Sequence, residues 1–338
     1  MSRAQLTSTD QQNSGGPVSP YVAGKNKIIN GDFGIWQRGT SISLTTGTAA
    51  YTSDQWNVVC NFSAGTASAS QQTFTPGTAP VAGYEGTYFH RVTTGSTSTY
   101  IEVKQNIENV RTYAGQTVVL SFWAKASTAM TSSTLFRQEF GSGGSTLVDT
   151  SGASLSITTS WQRFTTSVTL PSISGKTIGT SSMLRVYPIS VSGTFTSATV
   201  DIWGVQFEAG SVATPFTTAT GTLSGELAAC QRYYYRLISD NLYTNFGLGF
   251  ANSTTNATMS ITAPVQMRIL PTSVDFSTLR FTDYSSTFVI SALVFDNSGN
   301  GRNTQLVSGT STSLTTNRGY AISGNNSTSA YLGFSAEL

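Results

Sequence analysis

Short stretches of alternating apolar and polar residues, separated by Gly, Ser, Thr and Pro, run from Asn26 almost to the end of the chain. Examples are residues 99–108 (TYIEVKQNIE) and 198–210 (ATVDIWGVQFEAG), while 116–126 (QTVVLSFWAKA) is apolar throughout and predicts a central strand. A period of two places successive side chains on opposite faces of a sheet. Strands of this length and spacing predict an all-β chain of β-sandwiches, and the spacing favours a jelly roll.

One segment breaks this pattern. Residues 224–237 (SGELAACQRYYYRL) place Leu227, Cys230 and Tyr234 at the helical period, and Ser224 can cap a helix. The segment predicts a short α-helix between two β regions. It is either a linker docked on the first sandwich or the seam where symmetry-related chains meet, and in both cases we expect interdomain or oligomer contacts from Leu227, Cys230, Tyr234 and Arg232.

The predicted organisation has four parts. Residues 1–24 are mainly Ser, Thr, Gln, Gly and Pro, which is the composition of a flexible arm that becomes ordered only on a partner or neighbouring subunit. We therefore expect an extended N-terminal anchoring arm, a jelly roll, a linking helix and a C-terminal β-sandwich, at residues 1–25, 26–222, 223–240 and 241–338.

Composition excludes several classes of function. Charged residues make up 10% of the 338 residues and the net charge is +2, so the clustered Lys and Arg of a nucleic-acid-binding protein are missing. The sequence has neither an apolar run of about 20 residues nor the apolar core of a signal peptide, so we expect no membrane insertion. Cys60 and Cys230 lie far apart in apolar or helical contexts and are expected to be free, buried thiols.

Catalytic motifs are missing from the sequence. His90 is the only histidine, and its alternating strand context predicts a structural role against a ring or a backbone carbonyl. G-x-S-x-G, C-x-x-C, H-E-x-x-H and Gly-rich phosphate loops do not occur. The sixteen carboxylates show no obvious catalytic pair, so turn, cap and surface roles are favoured for them.

Two acids mark the ends of the first β region. Asp32 lies in NGDF and Asp201 in VDIWG. With backbone carbonyls, such a pair could hold a structural Ca²⁺, which prefers oxygen ligands. The favoured alternative is that both acids form turns and bond their own backbone. The segment NGDFGIWQRG itself is expected to be the first strand of the jelly roll, with Phe33 and Ile35 inward and with Gln37 and Arg38 reaching solvent or a neighbour.

Every tryptophan falls in the first β region. Sugars stack their C–H faces on aromatic rings while their hydroxyls meet polar side chains. Trp123 and Trp203, inside apolar strands, are expected in the core. The glycan-binding candidates are nearer to loops and comprise Trp56, Tyr84, Tyr88 and Arg38.

The chain resembles phage virion proteins of the tail fibre or minor tail protein type that carry a carbohydrate-binding-module-like jelly roll. The likeness rests on motifs that follow in order from about residue 25 to the C terminus, among them NKIINGDFGIWQRGTS, VRTYAGQTVVLSFWAKA, VDIWGVQFEAGSVATPF, ELAACQRYYYR and YLGFSAEL. It implies a non-enzymatic, generally trimeric virion component whose sandwich domains face the host surface. It also implies a structural calcium site at Asp32 and Asp201, contacts of Arg232 and Arg236 with acids of a neighbouring chain, and an exposed tip around residues 277–300.

Three functions follow as hypotheses. The first is a fibre or spike of the virion, assembled in the host cytoplasm as a homotrimer, held to other virion proteins by residues 1–25 and adsorbing to bacterial surface polysaccharide. The second is an architectural decoration or cement protein of the virion that binds no sugar. The third, more remote, is a polysaccharide depolymerase, although the repeats of a long β-helix are not seen.

Overall fold

The computed structural model describes residues 24–81, 84–296 and 299–338. Within these ranges the chain forms 22 strands and one helix, which confirms the all-β prediction. No helix in the described ranges is long and apolar enough to span a membrane. The predicted anchoring arm, residues 1–25, lies outside the described residues except for its last two positions.

The first sandwich consists of two six-stranded sheets. One sheet has the spatial order β1 (Ser41–Leu44), β4 (Ala67–Thr73), β5 (Tyr88–Thr93), β12 (Thr199–Ala209), β7 (Thr117–Ala126) and β10 (Gln162–Thr169). The other has the order β2 (Ala50–Tyr51), β3 (Trp56–Ala64), β6 (Thr97–Glu108), β11 (Met183–Phe195), β8 (Met130–Glu139) and β9 (Val148–Ile157). Neighbouring strands with a described register are antiparallel.

The core of this sandwich lies between its two sheets. Phe122 and Ile202 from one sheet and Ile101 and Val186 from the other are fully buried in it. Strand β7 is central, as predicted, between β12 and β10. It reads as a continuous apolar run because its outward side chains, such as Trp123, are also covered.

The second sandwich begins after the helix. Its three-stranded sheet has the order β13 (Tyr234–Ile238), β22 (Tyr331–Ser335) and β16 (Ser273–Ser277). Its seven-stranded sheet has the order β18 (Thr287–Val289), β17 (Leu279–Thr282), β21 (Gly319–Gly324), β14 (Asn245–Ala251), β15 (Asn256–Thr262), β20 (Thr304–Thr310) and β19 (Ala292–Phe295). A second core, which includes Met259, Phe281 and Phe334, fills the space between these sheets.

The predicted linking helix is shorter than 223–240. Helix α1 spans Leu223–Gln231, and its cap is Thr222, whose side chain accepts a hydrogen bond from Gly225 N, rather than Ser224. Tyr234 lies in β13, so it does not share a helix face with Leu227 and Cys230. The tyrosines from Tyr234 onward leave the helix because their backbone pairs with β22 and Tyr235 packs in the second core.

The segment NGDFGIWQRG is not a strand. The first strand begins at Ser41, and residues 26–40 form turns in which Asn30 and Phe33 have positive φ. Phe33 and Ile35 are buried, as expected. Hydrogen bonds from side chains, rather than from a neighbouring strand, satisfy backbone groups of this segment. Asn30 Nδ2, for example, donates to the carbonyls of Ile35 and Asp54 at 2.9 and 3.0 Å.

Candidate functional site

The outer face of the sheet β1-β4-β5-β12-β7-β10 carries a cluster of aromatic rings. Phe74, Phe89, Trp123, Trp203 and Phe216 are buried together there. Phe74 and Phe216 come from outside the strands and cover the sheet. The cluster confirms that Trp123 and Trp203 are core residues, and it leaves sugar-accessible rings only at its margin.

A pocket of about 220 Å³ opens at that margin. We call it the tyrosine pocket; the side chains that line it are Asp32, Tyr84, Glu85, Thr87, Tyr88 and Leu223. Tyr84 and Tyr88 are both partly exposed, so the structure brings together two of the four predicted glycan-binding residues. It also brings Asp32, one of the two predicted calcium ligands, into the same pocket.

Aromatic packing fixes the wall that carries Tyr84. Its ring lies 5.4 Å from Trp203 and meets Phe216 edge-on at 5.3 Å. The exposed Glu85 accepts a hydrogen bond from Gly77 N at 2.7 Å, which ties the two ends of the loop before β5 together. The ring is therefore held in place before any ligand arrives, which lowers the entropic cost of binding.

Helix α1 fixes the opposite wall. Glu226 accepts hydrogen bonds from Asn30 N at 2.8 Å and from Thr220 N at 2.7 Å, so the helix is docked on the first sandwich. The helix thus lies at the first of the two positions predicted for the linker, while the seam between symmetry-related chains stays a prediction. It leaves Leu223, at the start of the helix, 73% exposed on the rim of the pocket.

Asp32 gives the pocket an acidic floor. Its Oδ1 accepts one long hydrogen bond, from Gly34 N at 3.4 Å, and no cation of the described residues lies within ion-pair distance. Burial, together with the negative charge of Glu226, raises the pKa of Asp32, although the Gly34 bond opposes this. Burial and the same acids raise the pKa of Tyr84 to about 12, so its hydroxyl stays protonated at neutral pH. The pocket thus offers rings and hydrogen-bond acceptors to a neutral, hydroxylated ligand.

Two glycan-binding predictions are wrong. Trp56 is fully buried, with its ring 4.9 Å from Phe33 and its Nε1 donating to the Asn30 carbonyl at 2.9 Å. Arg38 lies between the domains, where its guanidinium is 3.5 Å from the centre of the Tyr234 ring and pairs with Glu337 at 3.0 Å. Both side chains are committed to internal contacts and cannot stack on or bind a sugar.

The structure does not bring Asp32 and Asp201 together. Asp201 is buried and forms a bidentate pair with Arg91, with both distances 2.7 Å, and lies 3.7 Å from Lys125. Asp32 lines the tyrosine pocket, whereas Asp201 lines a different pocket together with Arg91 and Lys125. Among the described residues, no group of three or more His, Cys, Asp and Glu could hold a metal ion. This geometry contradicts a calcium ion shared by the two acids.

The four predicted contact residues divide between buried and exposed positions. Two of them contact the first sandwich: the Tyr234 ring lies against the Arg38 guanidinium, and Arg232 pairs with Glu108 at 3.1 Å. Cys230 is buried, and both cysteines are free, as predicted. Leu227 is 37% exposed. The predicted contacts of these residues with a neighbouring chain stay a prediction.

The sequence analysis did not predict some of the residues that line the pockets of the first sandwich. Leu223 reaches the tyrosine pocket from a helix about 190 positions after Asp32, so no local pattern connects them. A second, shallower pocket of about 230 Å³ is lined by Arg91, Lys125 and Asp201. In the sequence, these charged residues alternate with apolar residues on β5, β7 and β12. This alternation predicts that they lie on the outer face of the sheet, and it is the one sequence signal that could have found this pocket.

The comparisons with known proteins return solved structures only. No protein-family model matches the chain, and no curated protein matches it. The enzymatically active domain of tailspike protein 4 of bacteriophage CBA120 matches with a TM-score of 0.36 and 14% identity, over 57% of this chain and 22% of that chain. This chain therefore spans about a fifth of that domain's length.

Two smaller structures match over almost their whole length. The CBM22-1 xylan-binding domain of Xyn10C from Paenibacillus barcinonensis has a TM-score of 0.33 and 15% identity, over 56% of this chain and 98% of that chain. A putative sugar binding protein from Bacteroides thetaiotaomicron has a TM-score of 0.34 and 13% identity, over 55% and 100%. TM-scores of this size do not establish a family for the chain.

Proposed function

We propose that this chain is a non-enzymatic structural protein of a phage virion, a fibre or spike held by residues 1–25 whose β domains adsorb to host surface glycans. The observation that carries glycan binding is the tyrosine pocket, in which two partly exposed rings stand beside two carboxylates. The virion location and the homotrimer rest on the ordered motifs of the sequence and are part of the proposal.

The pocket would bind a sugar by two complementary contacts. Tyr84 and Tyr88 offer ring faces to the C–H surface of a pyranose, while Asp32 and Glu85 accept hydrogen bonds from its hydroxyls. A site of this size holds about one sugar ring, so its affinity is expected to be weak. Three copies on one fibre would strengthen adsorption by raising the effective concentration of sites.

The first test measures binding of the full chain to host cells and to their isolated surface polysaccharide. Tyr88→Ala and Tyr84→Ala are each expected to weaken binding about fivefold, since one ring contact contributes about 1 kcal/mol. Tyr88→Phe and Tyr84→Phe keep the rings and serve as matched controls that retain binding. Thermal unfolding of each variant checks the fold, because Tyr84 also packs on Trp203. Unchanged binding in both alanine variants would remove the pocket from the proposal.

A second candidate function is an architectural brace in the virion. The outer face of the seven-stranded sheet favours it, because Leu248 and Phe250 are 65% and 53% exposed there and could pack on another virion protein. Deletion of the protein would then reduce particle integrity rather than adsorption.

The polysaccharide depolymerase stays the remote alternative. Asp32, with its raised pKa, shares a pocket with Glu85, and glycoside hydrolysis uses one protonated and one ionised carboxyl. Shortening of the surface polysaccharide by the purified chain, lost in Asp32→Asn, would replace the non-enzymatic proposal.

A further inference from the structure

A polar and aromatic surface lies at one edge of the seven-stranded sheet, in the second sandwich. Asn245 of β14 and Arg280 of β17 are both opposite Ser323 of β21, so the three residues form a row across adjacent strands. Two tyrosines flank the row: Tyr284 is 76% exposed and Tyr243 is 47% exposed. We call this the tip surface and define it by Tyr243, Asn245, Arg280, Tyr284 and Asn326.

Hydrogen bonds hold both rings in place. Asn245 Nδ2 donates to the Tyr284 hydroxyl at 2.9 Å, and the Tyr243 hydroxyl donates to Asn326 Oδ1 at 3.0 Å. The rings are therefore positioned on the surface although much of each remains exposed. Such exposed, fixed rings are costly to hydrate and suited to binding.

The backbone of Tyr284 is unusual. Its φ is 66°, in the left-handed region that glycine adopts freely and bulky residues rarely adopt. The turn is built around it: Asp283 Oδ1 accepts hydrogen bonds from Ser285 N and Ser286 N, and the Tyr284 N–H donates to Thr282 Oγ1 at 3.0 Å. Glycine would satisfy the fold better at this position, so the exposed ring points to a role outside folding.

Arg280 supplies a positive charge beside the rings. Its guanidinium lies 4.5 Å from the centre of the Tyr243 ring, with Nε donating to Ser323 Oγ at 3.1 Å and Nη1 to Thr287 Oγ1 at 2.7 Å. Within the described part of the chain, no carboxylate lies within 4 Å of it. The group is thus oriented by hydroxyls and stacking and keeps its charge uncompensated, which suits a planar carboxylate ligand.

We propose that the tip surface binds an acidic polysaccharide. Tyr243 and Tyr284 would stack on sugar rings, Asn245 and Asn326 would meet hydroxyls, and Arg280 would pair with the carboxylate of a uronic acid. A single cation among amides and hydroxyls does not suit nucleic acid, which needs several. The inference rests on the proposed glycan-binding function and adds a second site, on the other sandwich, with a stated charge preference.

The test uses the full chain with immobilised alginate, polygalacturonate, hyaluronate and xanthan, each also in a carboxyl-reduced form that keeps the sugar chain but removes the charge. Binding to at least one acidic polysaccharide is expected, weakened about tenfold by carboxyl reduction. Arg280→Gln should cause a similar loss on the acidic form and little further loss on the reduced form. Tyr284→Gly should also weaken binding about tenfold while the unfolding temperature stays unchanged or rises.

Control variants separate the tip surface from other sites. Val294→Ala changes an exposed residue on β19, at the far edge of the same sheet, and should leave binding unchanged. If binding is lost in Tyr88→Ala but kept in Tyr284→Gly and Arg280→Gln, the proposed function stands and this inference falls. The reverse pattern supports the inference and removes the tyrosine pocket.

Three further results would overturn the inference. These are binding to none of the four acidic polysaccharides, equal binding to the acidic and reduced forms, and loss of self-association in Tyr284→Gly and Phe250→Ala measured by sedimentation. The last result would make this sheet face a contact between copies of the chain rather than a glycan site.

Discussion

His90 is a fully buried residue whose surroundings leave it uncharged. Its ring stacks on Trp36 at 5.3 Å, lies 5.2 Å from Phe33, and has Nε2 3.1 Å from Thr52 Oγ1. Burial lowers the pKa of His90 to about 3, because the imidazolium would lose its hydration without gaining a charged partner. The structural role expected from its strand context is confirmed, and no proton-transfer role is open to it near neutral pH.

His90 can be tested directly because the chain has one histidine. Its ring signals in an NMR titration are expected not to shift between pH 5 and 8. The unfolded state binds a proton below about 6.5 whereas the folded state does so only near 3, so this residue's contribution to stability is present at neutral pH and lost on acidification through that window. A titration midpoint near 6.5 would show that the ring reaches solvent.

The turn segment at residues 26–40 depends on one side chain. Asn30 is buried with φ of 55°, which asparagine tolerates better than most residues. Besides donating to two carbonyls, its Oδ1 accepts a hydrogen bond from Ile35 N at 3.0 Å. Asn30 therefore replaces the strand ladder that the sequence pattern led us to expect, and it holds Asp32 at the tyrosine pocket.

Substitution of Asn30 is expected to be severe. Asn30→Ala removes three hydrogen bonds to buried groups, at about 1 kcal/mol each. Asn317→Ala is the matched control, because Asn317 also has positive φ but is exposed. In denaturant unfolding, Asn30→Ala should lower the free energy of unfolding by about 3 kcal/mol more than Asn317→Ala. Equal effects would mean that backbone conformation, and not the side-chain bonds, is what asparagine supplies.

Periodicity predicted the strands well and the connections poorly. The alternation in 99–108 and the apolar run in 116–126 follow from local geometry, and both are strands. In residues 224–237 the predicted helix exists but ends at Gln231, because the pairing of β13 with β22 is a long-range effect. Trp56 looked loop-adjacent in the sequence, and only the packed structure shows that it is covered. The tyrosine pocket combines residues far apart in the chain, which no local pattern reports.

The two sandwiches are joined by a charged interface around Arg38. Arg38 pairs with Glu337 of the second sandwich at 3.0 Å and lies 3.9 Å from Asp54 of the first. The Arg236 guanidinium donates to the Arg38 carbonyl at 2.9 Å, and Gln37 donates to the Tyr234 carbonyl at 2.7 Å. Asp54 and Glu337 are thus two buried carboxylates that share the charge of Arg38, while Arg236 also acts on Asp54 and Arg268 on Glu337.

The burial of these two carboxylates predicts a pH-dependent domain interface. Burial is the largest influence on both acids and raises the pKa of Asp54 to about 6 and of Glu337 to about 7, against the opposing effect of Arg38. The folded state therefore holds protons that the unfolded state releases, so this contribution to stability is full below about pH 4 and is lost as the pH rises through 7.

Glu337→Gln removes one of these titrations, so stability should fall less between pH 5 and 8 in this variant than in the natural chain. The difference is expected to be about 2.5 kcal/mol, since one pKa unit corresponds to about 1.4 kcal/mol and the raised pKa of Glu337 lies about two units above pH 5. His90 acts in the opposite direction below about pH 6.5 but is common to both proteins, so it cancels from the comparison. Denaturant unfolding at pH 5 and 8 gives the measurement, with Asp240→Asn as a control at an exposed acid. Parallel pH profiles for Glu337→Gln and the natural chain would mean that Arg38 already neutralises Glu337, and that the two sandwiches remain equally well joined across this range.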